Sequence, residues 1–98
     1  MLYLDTRNRV VDREIPYQGT LNASLVRIAE VLRGAIRRNC AAIIVAHNHP
    51  SGDPSPSPED VALTRQLAEA GELMDVQVLD HVVVATRYRS MREAGLGQ

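Results

Sequence analysis

The sequence predicts an α/β domain in which strands and helices follow one another in the order β-β-α-β-α-β-β. The central observation is the apolar run at residues 41–46, whose lack of alternation is typical of a strand covered on both faces. Segments with apolar residues at three- and four-residue spacing precede and follow this run and predict two helices. Short apolar stretches separated by turn residues predict further strands at both ends of the chain.

The chain opens with a predicted hairpin. Residues 2–4 are apolar, residues 5–8 have the composition of a turn, and residues 9–15 predict a second strand. Pro16 and Gly19 then break the pattern. The first strand begins almost at Met1, and the edge of the sheet beside it is expected to be exposed.

The first helix is predicted to begin at a cap formed by Asn22 or Ser24 and to run to about Arg38. Gly34 lies inside it and weakens it by roughly 1 kcal/mol relative to Ala. Its apolar stripe is expected to consist of Leu25, Ile28, Leu32, Ala35 and Ile36.

The second helix is predicted to begin at Ser57. Ser57 suits the N-cap, Pro58 the first helical position and Asp60 the third, while Gly71 is a plausible stop.

Two strands are expected to complete the sheet. Residues 76–85 predict a strand that the polar pair Asp80 and His81 interrupts, and residues 88–91 predict a last short one. Residues 95–98 are expected to fray.

The composition limits the number of domains and the kinds of partner that the chain is expected to have. At 98 residues the chain is expected to be one domain, residues 1–98, with 45% hydrophobic residues to build a core. A formal net charge of -1 and only 3% aromatic residues argue against direct nucleic-acid binding, which favours a basic surface and stacking side chains.

The cysteine content and the hydrophobic segments indicate a cytoplasmic chain. The single Cys40 rules out an internal disulfide and is expected to pack as a small hydrophobe. No apolar stretch approaches the ~18 residues of a membrane span, and charge at Asp5 interrupts any signal peptide.

The most informative segment follows the apolar run and contains His47, His49, Ser57 and Asp60. Residues two apart on a strand point to one side, so the two imidazoles aim together, and Asp60 returns to them on the next helix. Two imidazoles and one carboxylate suit Zn²⁺ and leave a fourth position for water. Ser57 would lie beside that water, with a hydroxyl able to donate to an oxyanion.

A structural interpretation competes with this one. Ser57 and Asp60 also fit a capping box, and two histidines at a strand end are often only polar residues. The prolines of the intervening loop restrict its freedom, which favours a preorganised site over a plain connector. His81 has two interpretations as well, as a partner that orients a ligand or as a satisfied core histidine.

The spacing His47-x-His49, seven residues, Ser57, two residues, Asp60 resembles the JAMM signature of JAB1/MPN metallopeptidases. The wider string at residues 47–54, with residues 19–22 before it and residues 79–81 after it, resembles the bacterial RadC family in particular. The resemblance covers nearly the whole chain. It implies a JAB1/MPN-like, cytidine-deaminase-like fold, a mixed twisted sheet flanked by helices.

The resemblance also implies roles for single residues. His47, His49 and Asp60 would be the zinc ligands, and Ser57 would assist the tetrahedral intermediate. The family's general base is a glutamate whose place falls before Met1, so the domain is expected to be truncated at its N-terminus. Glu14, on the second strand, is the nearest substitute in the sequence.

Three functions follow as hypotheses. The first is a zinc metallopeptidase, a hydrolase that cuts a peptide or isopeptide bond of a protein substrate. The second is a zinc-binding interaction module that lacks the base and forms a homo-oligomer through the exposed sheet edge. The third is a DNA-repair-associated factor, as the RadC name suggests, and the slightly acidic composition argues against direct DNA contact.

Overall fold

The structure is a computed structural model that describes residues 1–14, 26–48, 55–85 and 88–96. Its elements are β1 (Leu2–Leu4), β2 (Val10–Arg13), α1 (Ile28–Arg37), β3 (Ala42–Asn48), α2 (Pro58–Leu73), β4 (Gln77–Val84), β5 (Tyr88–Ser90) and α3 (Met91–Ala94). The predicted α/β class and the predicted order of the first seven elements are confirmed, and α3 follows them.

The five strands form one mixed sheet in the order β2-β1-β3-β4-β5. β1 is antiparallel to β2 and β3, β3 is parallel to β4, and β4 is antiparallel to β5. The parallel pair lies at the centre, as expected for the most apolar strand, and the predicted hairpin forms one edge. This arrangement agrees with the JAB1/MPN-like fold that the resemblance implied.

The main core lies between the sheet and the two long helices. Because α1 and α2 contribute to one cluster with β1, β3 and β4, both helices cover the same face of the sheet. The buried members of this cluster are Tyr3, Val31, Leu32, Ala35, Cys40, Ile43, Leu63, Leu67, Val76 and Val78. Cys40 is therefore a packing residue, as predicted.

The first helix begins later than predicted. Arg27 is its N-cap and the helix starts at Ile28, whereas the predicted caps Asn22 and Ser24 lie outside the described residues. Ile36, which was expected on the apolar stripe, is 50% exposed. The buried face of the helix consists of Val31, Leu32 and Ala35 instead. The predicted helix end, near Arg38, agrees with the structure.

Gly71 does not stop the second helix, which continues to Leu73. It is instead a point of close approach, since a Cβ atom there would lie 2.3 Å from the carbonyl oxygen of Val76. The Val76 amide also donates to the Gly71 carbonyl at 2.8 Å. A residue without a side chain therefore lets the chain turn tightly from α2 into β4.

The pairing of β3 with β4 contains one irregularity. Ile43 pairs with Val78, but Ile44 pairs with Asp80, so one extra residue enters β4 between these partners. Side chains alternate along a strand, and the extra residue shifts that alternation by one. As a result both Val78 and His81 face α2, and both are buried.

The short helix α3 was not predicted. Its N-cap Ser90 accepts a hydrogen bond from the Glu93 amide at 3.2 Å, and Gly95 ends it with φ of 71°. No helix in the described part of the chain is long and apolar enough to cross a bilayer.

Candidate metal centre

Strand β3 and helix α2 bring two of the predicted ligands together. His47 is the penultimate residue of β3, and Asp60 lies in the first turn of α2. The His47 Nε2 atom lies 3.2 Å from Asp60 Oδ1. The Asp60 side chain is almost fully buried, so its carboxylate meets the imidazole away from bulk water.

The capping box of α2 orients the carboxylate. Asp60 Oδ2 accepts a hydrogen bond from the Ser57 amide at 2.8 Å, and Ser57 Oγ accepts one from the Asp60 amide at 3.1 Å. Asp60 is thus both the acidic member of the capping box and a predicted ligand. One oxygen closes the cap while the other faces His47, so the structural and the metal-binding interpretations of this motif are compatible.

The geometry of this pair fits zinc. Two atoms bound tetrahedrally to one Zn²⁺, each at about 2.0–2.1 Å, lie about 3.3 Å apart. His47 Nε2 and Asp60 Oδ1 are 3.2 Å apart, and nitrogen and carboxylate oxygen are both zinc donors. A divalent cation between them would also satisfy a carboxylate that is buried against an imidazole.

The third predicted ligand, His49, lies outside the described residues. Within the ranges that the structure describes, no three His, Cys, Asp or Glu side chains are grouped closely enough to hold a metal ion. The full set of His47, His49 and Asp60 therefore stays a prediction.

Behind His47 lies a second histidine. His47 Nδ1 is 2.7 Å from His81 Nε2, and the two ring centroids are 4.8 Å apart. His81 Nδ1 is in turn 2.6 Å from Thr64 Oγ1, which donates to the Asp60 carbonyl oxygen at 2.9 Å. The contacts therefore lead from one predicted ligand to the backbone of the other.

His81 has the contacts that both interpretations of the sequence require. It is 1% exposed and fully engaged in the core, and it also contacts a predicted ligand directly. Its partner Thr64 is 0% exposed and takes part in this buried polar contact. The hydrogen bond between Thr64 and His81 depends on the placement of β4 beside α2. In the sequence, only the position of Thr64, four residues after Asp60, points to this contact.

Asp80, the neighbour of His81, has a structural role. Adjacent residues on a strand point to opposite faces, so Asp80 lies on the side away from α2. There its carboxylate accepts hydrogen bonds from the Ser90 hydroxyl and from the Arg92 amide, the latter at 3.1 Å. These bonds fasten β5 and α3 to β4 and so support the strand that carries His81.

Ser57 is the N-cap of α2 and the partner of Asp60 in the capping box, and its role beside a metal-bound water stays a prediction. Its Oγ accepts the bond from the Asp60 amide, and its hydroxyl proton donates to no other described residue. A hydroxyl has one donor and two acceptor positions, and the cap occupies one of the acceptor positions. The side chain is part-buried, at the N-terminus of α2, where the helix dipole also favours negative charge.

Glu14, the predicted substitute base, contacts a different group of residues. Its carboxylate lies 2.8 Å from the Arg38 guanidinium and accepts a hydrogen bond from the Tyr3 hydroxyl at 3.3 Å. Its side-chain contacts in the described chain therefore fix β2 to α1 and include neither His47 nor Asp60.

The sequence of this chain matches a known family. A sequence model of the RadC-like JAB domain family covers residues 1–96. This chain belongs to that family. The RadC resemblance, which was based on residues 19–22, 47–54 and 79–81, is therefore confirmed.

Several relatives share this RadC-like domain. A UPF0758 protein of Roseiflexus castenholzii is 62% identical over 94 residues, which are 95% of this chain and 40% of the relative. UPF0758 proteins of Chloroflexus aurantiacus and Methanococcoides burtonii are 55% and 46% identical over 97 and 95 residues, which are 98% and 96% of this chain and 42% of each relative. The RadC-like chain thus spans about two fifths of the length of these curated relatives, whose names assign them no activity.

Proposed function

We propose that this RadC-like JAB domain is a zinc-dependent hydrolase of peptide or isopeptide bonds, with His47, His49 and Asp60 as the zinc ligands. The observation that carries the proposal is the 3.2 Å separation of His47 Nε2 and Asp60 Oδ1. That distance is the one expected of two ligands on a tetrahedral zinc ion. Three protein ligands leave an open position, which distinguishes a catalytic zinc site from a structural one.

Zinc, when bound, polarises the scissile carbonyl and lowers the pKa of its water to about 7. The protein side chains supply orientation and hydrogen bonds. Asp60 is fixed by the helix cap, and Ser57, held by the same cap, directs its hydroxyl proton toward an oxygen that gains negative charge. Both groups are in place before any substrate binds, so little reorganisation is needed.

The register of β1 indicates where a general base would lie. Leu2 pairs with Ile44 in an antiparallel ladder, so Met1 stands opposite Val45. In a longer chain whose β1 continued upstream, the second residue before Met1 would stand opposite His47. Opposite residues of an antiparallel pair share a face, so a glutamate there would point to the side of His47.

Glu14 fits this role less well than an upstream residue. Its carboxylate would have to leave both the Arg38 ion pair and the Tyr3 hydroxyl before it could accept a proton from water. We therefore propose that a glutamate on an extended β1 supplies the base.

The test compares this chain with a version extended upstream of Met1 by the residues that precede the matching segment in the Roseiflexus castenholzii relative. Both are analysed for bound metal and assayed for cleavage of peptide and isopeptide substrates. We expect about one zinc per chain in both and turnover only in the extended form. A metal content near zero, with no change in melting temperature on adding zinc, would overturn the proposal.

A second candidate function is self-association through the edge strand. The four residues of β2 are all exposed, and Val10 and Val11 are each 56% exposed. Among the described strands, β2 lies at an edge of the sheet and pairs only with β1. We propose that β2 pairs with β2 of a second copy of this chain. Sedimentation equilibrium of the wild type and of Val11→Lys tests this, and a wild type that stays monomeric at high concentration would exclude it.

A further inference from the structure

Three hydrogen bonds lie behind His47, and each needs one donor hydrogen from Thr64, His81 or His47. Thr64 Oγ1 has one hydrogen, and the Asp60 carbonyl oxygen, 2.9 Å away, can only accept it. The same hydroxyl oxygen lies 2.6 Å from His81 Nδ1. Both bonds can form together only if His81 Nδ1 carries a hydrogen and donates it to Thr64.

This requirement passes from one ring to the next. A neutral imidazole with its hydrogen on Nδ1 has a lone pair on Nε2, so His81 Nε2 accepts from His47 Nδ1 at 2.7 Å. His47 then also carries its hydrogen on Nδ1. Its Nε2 therefore has a lone pair on the side where Asp60 Oδ1 lies at 3.2 Å.

We propose that Thr64 and His81 are positioning residues that hold His47 in the tautomer whose Nε2 lone pair faces Asp60, ready for a divalent cation. The proposal rests on the zinc site proposed above. It assigns a purpose to two polar side chains, Thr64 and His81, that are 0% and 1% exposed. Partners of this kind fix the ring orientation and the protonated nitrogen of a metal-binding histidine.

The opposite arrangement shows why the threonine matters. If the Thr64 hydroxyl turned toward His81 Nδ1, the His81 hydrogen would move to Nε2 and point at His47 Nδ1. His47 would then carry its hydrogen on Nε2, the nitrogen that a metal needs. The bond from Thr64 to the Asp60 carbonyl favours the first arrangement, and it links the orientation of one ligand to the backbone of the other.

Substitutions at position 64 separate this role from packing. Thr64→Val keeps the shape of the side chain and removes the hydroxyl, so His81 Nδ1–H loses its acceptor. Thr64→Ser keeps the hydroxyl and loses a methyl group. We expect Thr64→Val to weaken zinc binding about 10- to 100-fold and Thr64→Ser to change it less than threefold, although both alter core packing.

The measurement is zinc affinity by competition with a chelator, alongside the melting temperature of the metal-free proteins. His81→Phe, which removes the acceptor of the His47 hydrogen, should weaken binding at least as much as Thr64→Val. In zinc-loaded wild type, nitrogen-15 NMR should place the His81 hydrogen on Nδ1. A His81 hydrogen on Nε2, or a Thr64→Val variant that binds zinc as tightly as the wild type, would overturn the positioning role and leave the proposed zinc site standing. A wild type that binds no zinc would overturn both.

Discussion

Ser57 and Asp60 close a capping box around the start of α2, with the Ser57 amide 2.8 Å from Asp60 Oδ2 and the Asp60 amide 3.1 Å from Ser57 Oγ. The same Asp60 side chain presents Oδ1 to His47. A residue typical of a helix start thereby directs its second carboxylate oxygen at His47. Stability and metal binding can be separated by choosing the substitution at this residue.

Asp60→Asn should lose zinc while keeping most of the cap. An amide oxygen can still accept from the Ser57 amide, so we expect a loss of about 0.5 kcal/mol in the free energy of unfolding, whereas Asp60→Ala should lose about 1–2 kcal/mol. Urea unfolding of the metal-free proteins measures the difference, and metal analysis should find both variants depleted. Equal stability of the two variants would contradict the role of the cap.

Zinc should stabilise the folded protein. A ligand that binds only the native state adds about 2.7 kcal/mol at a concentration of 100 times its Kd, which a thermal melt detects readily. His47→Ala should abolish this response, because it removes a proposed ligand. Glu59→Ala, at an exposed position one residue before Asp60, is the matched control and should respond to zinc like the wild type.

Gly34→Ala should destabilise the protein although alanine is the better helix former. A Cβ atom at position 34 would lie 2.2 Å from the Tyr3 hydroxyl oxygen, and Tyr3 is fully buried. We expect a net loss of up to about 2 kcal/mol, the difference between an overpacking cost of about 1–3 kcal/mol and a propensity gain of about 1 kcal/mol.

Tyr3→Phe provides the control for this clash. It removes the oxygen that the new methyl group would meet, so Gly34→Ala should cost less in the Tyr3→Phe background than in the wild type. A double-mutant cycle by chemical denaturation gives the coupling energy. Additive effects of the two substitutions would show that the predicted contact does not limit position 34.

The ion pair between Asp12 and Arg38 should make stability sensitive to acid. A hydrogen bond from the Arg38 side chain, at 2.8 Å, holds the pKa of Asp12 below its usual value. A carboxyl whose pKa is lower in the folded state contributes stability above its unfolded pKa of about 3.9 and loses that contribution as the pH falls through the folded pKa.

Asp12→Asn therefore should be less stable than the wild type at pH 7 and differ from it less at pH 3. Chemical denaturation at the two pH values checks this, and added salt should shrink the difference at pH 7 because the pair is exposed to solvent. A difference that stays the same at both pH values would show that protonation of Asp12 is not its source.

Local signals in the sequence predicted part of the fold and site well. The start of α2 was correct because Ser57, Pro58 and Asp60 act within one helical turn. The predicted start of α1 was wrong, because Arg27 is the N-cap. The predicted stop at Gly71 was wrong as well, because the close approach of the Val76 carbonyl decides the role of this glycine. The helix α3 was missed, although Ser90 as N-cap and Gly95 as stop are its local signals.

The candidate site likewise has features that the sequence predicts and features that depend on packing. The pairing of His47 with Asp60 could be anticipated because a known spacing joins them. The role of Thr64 could not, because it depends on which face of β4 turns toward α2. The partners of Glu14 are likewise set by the packing of β2 on α1, which no local pattern encodes.

The extra residue between the Val78 and Asp80 pairings divides β4 into two halves with opposite phase. The first half points its even-numbered side chains at the core, and the second half points its odd-numbered ones there, with Val78, His81 and Val83 all buried. A deletion of a single residue at this point would restore a regular ladder and leave the pairing of the strands intact. His81 would then still stand opposite Val45, with its imidazole on the face of α2. A regular ladder at the present chain length would instead place Asp80 opposite Val45, turn His81 to the far side of the sheet and remove the support of His47.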